Sequence, residues 1–190
     1  RAGVINGPKN PQFSFSTILT GEIRDRDAEL LAEYKNEKGK TGVLLGVNAR
    51  PLVGGRGKGD GLAFTLIPEE PIIAFRKFHF NEDHNWIYLH KNMRVYANVD
   101  MWDDEGMGFR VHSVQGDTVS LQNIDVEIRR IRLDEITSVL PYFPEITGLF
   151  SAEAHYIQTE KDLQLSAEAS IDELTYERQR IGDVTLGATW

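Results

Sequence analysis

The sequence predicts an all-β fold of long alternating strands, with one short helix near 132–140. Three observations lead there. From Glu145 to Trp190 the chain repeats an apolar and polar alternation three times, with Phe150, Ala152, Ala154 and Tyr156 in the first run. Leu163, Leu165, Ala167, Ala169 and Ile171 form the second, and Val184, Leu186, Ala188 and Trp190 the third. Asp162, Gln164, Ser166, Glu168, Ser170 and Asp172 fall on the opposite parity, so these runs make a sheet with one apolar and one wet face. Turn-forming clusters recur between such runs along the whole chain. Only Arg132 to Leu140 has helical spacing, through Leu133, Ile136, Val139 and Leu140, and Pro141 and Pro144 stop it.

Taken in order, residues 1–12 are turn-rich and expected to be flexible, and Phe13 to Thr20 alternates weakly. Ala28, Leu30, Ala32 and Tyr34 alternate with charged residues, Asn36 to Lys40 supplies a turn around Gly39, and Val43, Leu45, Val47 and Ala49 return. Pro51 to Gly61 is a glycine-dense break. Short strands are expected at 62–67 and 72–80, separated by Pro68 and Pro71, followed by a polar turn at 81–85 and a strand at 86–89. Val95, Ala97, Val99 and Met101 share one face before the acidic turn at 103–106, and Phe109 and Val111 continue the sheet. Val119 and Leu121 have odd parity but Ile124, Val126 and Ile128 have even parity, which predicts a β-bulge near Gln122 and Asn123.

At 190 residues the chain fits a single domain, or a fragment of a longer repetitive β-structure, spanning 1–190. A net charge of −8, with basic residues scattered among acidic ones, argues against nucleic acid as a partner. The absence of cysteine excludes disulfides and thiolate metal sites. No apolar run approaches the roughly 20 residues of a membrane helix. The opening at Arg1, without a signal peptide, leads to the expectation of a piece whose membrane anchor lies outside it.

Residue constellations offer little chemistry. The run Gly54 to Gly61 lacks the Ser or Thr after Lys58 and the following helix that a phosphate loop needs, so an inter-strand loop is expected. His79, His84, His90, His112 and His155 form no tight ligand pair, and no metal site or cofactor is expected. Asp103, Asp104 and Glu105 read as a solvated acidic hairpin, not a calcium loop. No serine sits in a nucleophile motif, and the chain is expected not to be an enzyme. One short helix cannot cover so many strands. The sheet must stack on a second sheet, close into a barrel, or curl around a channel, and alternation alone describes a sandwich core as well as a groove.

A family resemblance bears on that choice. Ile131 to Ile136, Leu140 to Pro144 and Ile146 to Phe150 together resemble the helix, proline and strand passage of TamB-like proteins. Leu174 to Tyr176 and Ile181 to Val184 resemble their recurrent strand starts, and Asn81 to Trp102 is similar to the form found in Bacteroidetes-type bacteria. The resemblance is strongest from Ile72 to Trp190 and rests on strand punctuation, with no active-site motif. It implies the AsmA-type, bridge-like lipid-transfer group: proteins anchored in the inner membrane that cross the periplasm as a curled sheet, or β-taco, with an apolar interior. It also implies phospholipid cargo and an Omp85-type outer-membrane partner. On that expectation the lipid groove is lined by Val95, Ala97, Val99, Phe150, Ala152, Ala154, Leu163, Leu165, Ala167, Ala169, Val184, Leu186 and Ala188. The alternative is an interaction module whose open sheet edges bind outer-membrane protein clients.

Overall fold

In a computed structural model, residues 3–6, 16–24, 27–36, 38–53, 59–81, 85–114, 117, 119–137 and 144–190 are described. The strands are β1 (Gly3–Asn6), β2 (Ser16–Arg24), β3 (Asp27–Lys35), β4 (Thr41–Val53), β5 (Gly59–Ile73), β6 (Arg76–Lys77) and β7 (His79–Phe80). They continue as β8 (Trp86–His90), β9 (Val95–Trp102), β10 (Gly108–Ser113), β11 (Gln122–Arg132), β12 (Ile146–Gln158), β13 (Leu163–Tyr176) and β14 (Gln179–Thr189). The helix α1 (Leu133–Thr137) follows β11 directly. All strands belong to one 14-stranded antiparallel sheet in the order β1-β2-β3-β4-β5-β8-β9-β10-β11-β12-β13-β14, with β6 beside β5 and β7 beside β9. The sheet curls without closing into a barrel, since β1 and β14 do not pair.

Strands adjacent in sequence pair antiparallel along most of the sheet, and where a two-residue turn joins them the chain can only return that way. The β13–β14 turn places Glu177 and Arg178 at φ 48° and 66°, and the turn after β5 places Ala74 and Phe75 at 52° and 65°. Both are left-handed pairs whose twist matches the flanking strands. Phe75 is held there by its N–H to Gly42 O, at 3.0 Å, and by Tyr34, whose ring lies 6.3 Å away edge-on.

Several expectations are revised. Pro68 and Pro71 do not separate two strands, because β5 runs through both. Its pairing with β4 jumps from Ile67 opposite Gly46 to Ile72 opposite Leu44, and the residues between bulge out where no ladder donor is required. There is no bulge at Gln122 and Asn123. Val119 and Leu121 precede β11, Val119 is exposed, and β11 pairs β10 in unbroken register from Ile124 to Arg129. The bulge falls instead between Ile128 and Ile131, with Arg130 at φ 50°. One extra residue there brings odd-numbered Ile131 onto the face of Ile124, Val126 and Ile128.

Neighbouring strands carry companion irregularities. β13 bulges at Asp172 and Glu173 against both β12 and β14, with Glu173 at φ 52° and Gly148 opposite at φ 141°. Side chains replace the lost ladder bonds: Arg130 N–H donates to Ser151 Oγ (3.1 Å) and Glu173 N–H to Asp183 Oδ1 (2.9 Å). Bulged strands bend and twist more strongly, so this band bends β11 to β14 together.

The expected helix at 132–140 is present as Leu133–Thr137, and 138–140 lie outside the described residues, as do 54–58 of the glycine loop. Of the stretch 1–12, Gly3–Asn6 form β1 and the rest also lies outside the described residues. The acidic turn is not wholly solvated. Asp103 is buried, with Oδ1 accepting the N–H groups of Glu105 (2.9 Å) and Met107 (2.8 Å). The tightest core gathers Ala63, Ala74, Phe78, Phe80, Ala97, Val99 and Met107, around β5 to β9 and the turn into β10.

Candidate functional site

Register converts the alternation into rows that cross the sheet. Directly opposed residues in antiparallel strands share a face. One row runs Val99, Val111, Val126, Ala154, Ala167, Ala188 from β9 to β14. The next runs Met101, Phe109, Ile128, Ala152, Ala169, Leu186, and a third runs Ile131, Phe150, Ile171, Val184 across the bulges. Toward the other end of the sheet, Ala97 opposes Ile87 and Ile87 opposes Phe64, which opposes Ala49. Leu89 likewise links Val95 to Leu62.

All the candidate groove residues therefore lie on one face. Val95, Ala97 and Val99 sit on β9, Phe150, Ala152 and Ala154 on β12, Leu163, Leu165, Ala167 and Ala169 on β13, and Val184, Leu186 and Ala188 on β14. Their surroundings differ. Ala97 and Val99 are buried, whereas Leu163, Leu165 and Leu186 are 39%, 36% and 68% exposed. The apolar face is thus closed at Ala97 and Val99 and open on both sides of them, at Leu163, Leu165 and Leu186 toward β14 and at Leu62 and Leu30 toward β3. Val111 and Val126 join the β9 set to the β12 set; their parity is visible in sequence, but only the register shows that they are the link.

The opposite face is charged. A row of Asn98, His112, Asp125, His155 and Ser166 lies beside one of Asp100, Arg110, Glu127, Glu153 and Glu168. Asp125 receives an imidazole from each side, with His155 Nδ1 against Oδ1 and His112 Nε2 3.5 Å from Oδ2. Arg129 Nη2 reaches Asp100 Oδ1 at 2.5 Å. These contacts hold together strands whose groups are 13 to 30 residues apart in sequence, which no local motif announces. Among the described residues no cluster of three or more His, Asp or Glu has the geometry to hold a metal ion, and no helix is long and apolar enough to cross a membrane.

Two further features border the sheet. A cleft of about 490 Å3 beside the bulges is lined by Arg76, Asp103, Arg130, Arg132, Asp172 and Glu173, among others. Its Arg76 is committed to Glu135, Asp103 and Glu105. A cavity of about 450 Å3 is lined by residues of β5, β7 and β9 together with Asn81 and Asn85. No protein-family model, no curated protein and no solved structure matches the chain.

Proposed function

We propose that this chain is a non-enzymatic length of a lipid conduit, a segment of a periplasm-spanning envelope protein of the TamB-like kind. Its apolar face would shield phospholipid acyl chains between inner and outer membrane and so support outer-membrane protein assembly. The observation that carries the reading is the apolar face, continuous across hydrogen-bonded strands and left open at Leu163, Leu165 and Leu186. A face of this kind offers acyl chains about 0.8 kcal/mol per CH2 withdrawn from water. It makes no hydrogen-bond demand on them, because the backbone groups are paired within the sheet. The alanines at 152, 154, 167 and 169 keep the middle rows low between the bulkier Phe150 and Ile171 on one side and Tyr156 and Leu165 on the other. β13 supplies 14 residues, about 46 Å of strand at about 3.3 Å per residue, as a wall for such chains. The reading also implies an inner-membrane anchor and an Omp85-type outer-membrane partner.

The test is a photo-crosslinking residue placed at Leu165 or Leu186 and, as control, at Glu168 on the charged face. Lipid adducts at the first two positions and none at the third are expected, and Leu165→Glu should reduce lipid recovery severalfold. Equal labelling of both faces, or none, would remove the reading.

The free edge of β14 favours a second reading, in which outer-membrane client strands pair with it. Ile181, Leu186 and Trp190 are exposed beside that edge, and the strand contains neither proline nor lysine to discourage pairing.

A further inference from the structure

We infer that the free edge of β14 takes a strand of a partner protein in which lysine or arginine alternates with apolar residues. The inference rests on the edge reading above and adds to it the chemistry of the partner. Leu165 and Trp190 exchange both backbone bonds, and the β13–β14 register then runs unbroken from Ser166 opposite Thr189 to Ile171 opposite Val184. Val184, Leu186 and Ala188 therefore bond to β13, while the N–H and C=O groups of Thr185, Gly187 and Thr189 point away from it. Thr185 to Thr189 are all exposed, so this stretch of edge is uncovered. A strand laid along it sets its side chains alternately on the two faces of the sheet. Those opposite Leu186 and Ala188 join the apolar face, and the one opposite Gly187 joins the charged face.

The charged face selects a cation at that position. Glu127, Glu153 and Glu168 oppose one another directly on β11, β12 and β13, and Glu168 opposes Gly187 on β14. Like charges set opposite each other in adjacent strands repel. Arg110 answers only the far end of the row, 3.9 Å from Glu127. Among the described residues Glu153 and Glu168 have no cation, and both are exposed. The row ends on a residue without a side chain, where an added Cβ would meet nothing within 4 Å. A cleft of about 390 Å3 beside the row is lined by Glu127, Glu153, Glu168 and, from β14, Thr185, among others. A partner residue opposite Gly187 lies two strand spacings from Glu168, about 10 Å at about 4.8 Å each. A lysine or arginine can cross bare Gly187 with its stem along the sheet and its charge toward Glu168. An acidic partner residue would extend the repulsion instead. A second copy of this chain offers the row nothing, because Asp183 to Thr189 contains a carboxylate and no cation.

The experiment titrates the purified protein with two labelled peptides as long as β14, identical in their apolar residues and carrying lysine or glutamate at the alternating positions. The lysine peptide should bind about tenfold more tightly at low salt, with the ratio shrinking as salt rises. Glu168→Gln should bring the ratio below about threefold, and Glu168→Lys should reverse the preference. Glu168 is exposed and opposed by Glu153, so neither variant threatens the fold. Glu160→Lys, an equal change of charge in the turn between β12 and β13, should leave the preference in place. Thr185→Pro should weaken both peptides alike. Equal affinity for the two peptides, or equal effects of Glu168→Lys and Glu160→Lys, overturns the basic partner while leaving the edge as a docking element. No binding by either peptide, or binding indifferent to Thr185→Pro, overturns both.

Discussion

Arg76 in β6 and Glu135 in α1 face each other as a fork, Nε to Oε2 and Nη2 to Oε1, the latter at 2.7 Å. They are 59 residues apart in sequence, and their contact ties the helix at the end of β11 to β6, which pairs with β5. Arg76 Nη1 also reaches buried Asp103 at 3.2 Å and Glu105 at 2.9 Å. Hydrogen bonds donated to Glu135 and Glu105 favour the charged guanidinium and push its pKa above the ordinary arginine range. Planar bidentate geometry makes arginine hard to replace here.

Arg76→Met should therefore destabilise the fold by about 2–3 kcal/mol, below the 3–5 kcal/mol of a fully buried pair because Arg76 retains some exposure. Most of the loss comes from leaving buried Asp103 without its cation, since Glu135 keeps Arg132 Nε at 3.2 Å. Glu105→Gln, at an exposed partner, should change stability by less than about 1 kcal/mol. Urea midpoints decide this: equal midpoints for Arg76→Met and the parent would show that the fork contributes nothing.

Glycines separate close backbone approach from mere turn preference. A Cβ on Gly46 would lie 2.3 Å from Leu30 O, at the point where β4 answers the excursion of β5, whereas one on Gly187 meets open space. Gly46→Ala is expected to lose about 1–3 kcal/mol, since only backbone movement relieves the clash. Gly187→Ala should be neutral or stabilising by up to about 1 kcal/mol through the unfolded chain. Thermal midpoints of the two single variants, falling for the first and level or rising for the second, are the check.

The edge reading has its own discriminating substitution. Leu165 and Trp190 exchange both backbone bonds at 3.0 and 2.8 Å, so the alternation of an antiparallel ladder turns the N–H groups of Thr185 and Gly187 away from β13. Thr185→Pro removes an outward donor without taking one from β13. Client strands that pair with β14 should then lose at least tenfold in affinity, while lipid adducts at Leu165 persist. Unchanged client binding would remove the edge as the docking element.

The single-faced alternation was readable wherever strands are long and uninterrupted, as in 146–190, because one apolar face needs nothing beyond parity. Bulges were not. Ile128 and Ile131 share a face only through an extra residue at Arg130, and parity alone puts the slip at Gln122, where Val119 and Leu121 in fact lie outside the strand. Pro68 and Pro71 read as breaks because their sequence shows the missing donors but not the partner strand that leaves those positions unpaired. His112, Asp125 and His155 come from three strands and have no local spacing, so their grouping depends on register.

Register also depends on the turn that leads into β11, and that turn is built on a carboxylate. Asp117 Oδ1 accepts the N–H groups of Val119 and Ser120, each at 2.9 Å, and Oδ2 accepts Asn123 Nδ2 at 2.6 Å. These bonds, with that from Asn123 foremost, favour the ionised form and hold Asp117 far below the usual carboxylate range. An unfolded aspartate titrates near about 3.9. The folded value is the lower one, so the turn's contribution is complete above about pH 4 and is lost progressively as pH falls further toward the folded value. Asp117→Asn keeps an acceptor for the backbone but not the charge. It should lower the urea midpoint at pH 7 and show a smaller further drop between pH 5 and pH 3 than the parent. Other carboxylates titrate alike in both proteins, so the difference between the two pH profiles isolates this one group. Parallel profiles would mean that the turn does not draw on the charge of Asp117.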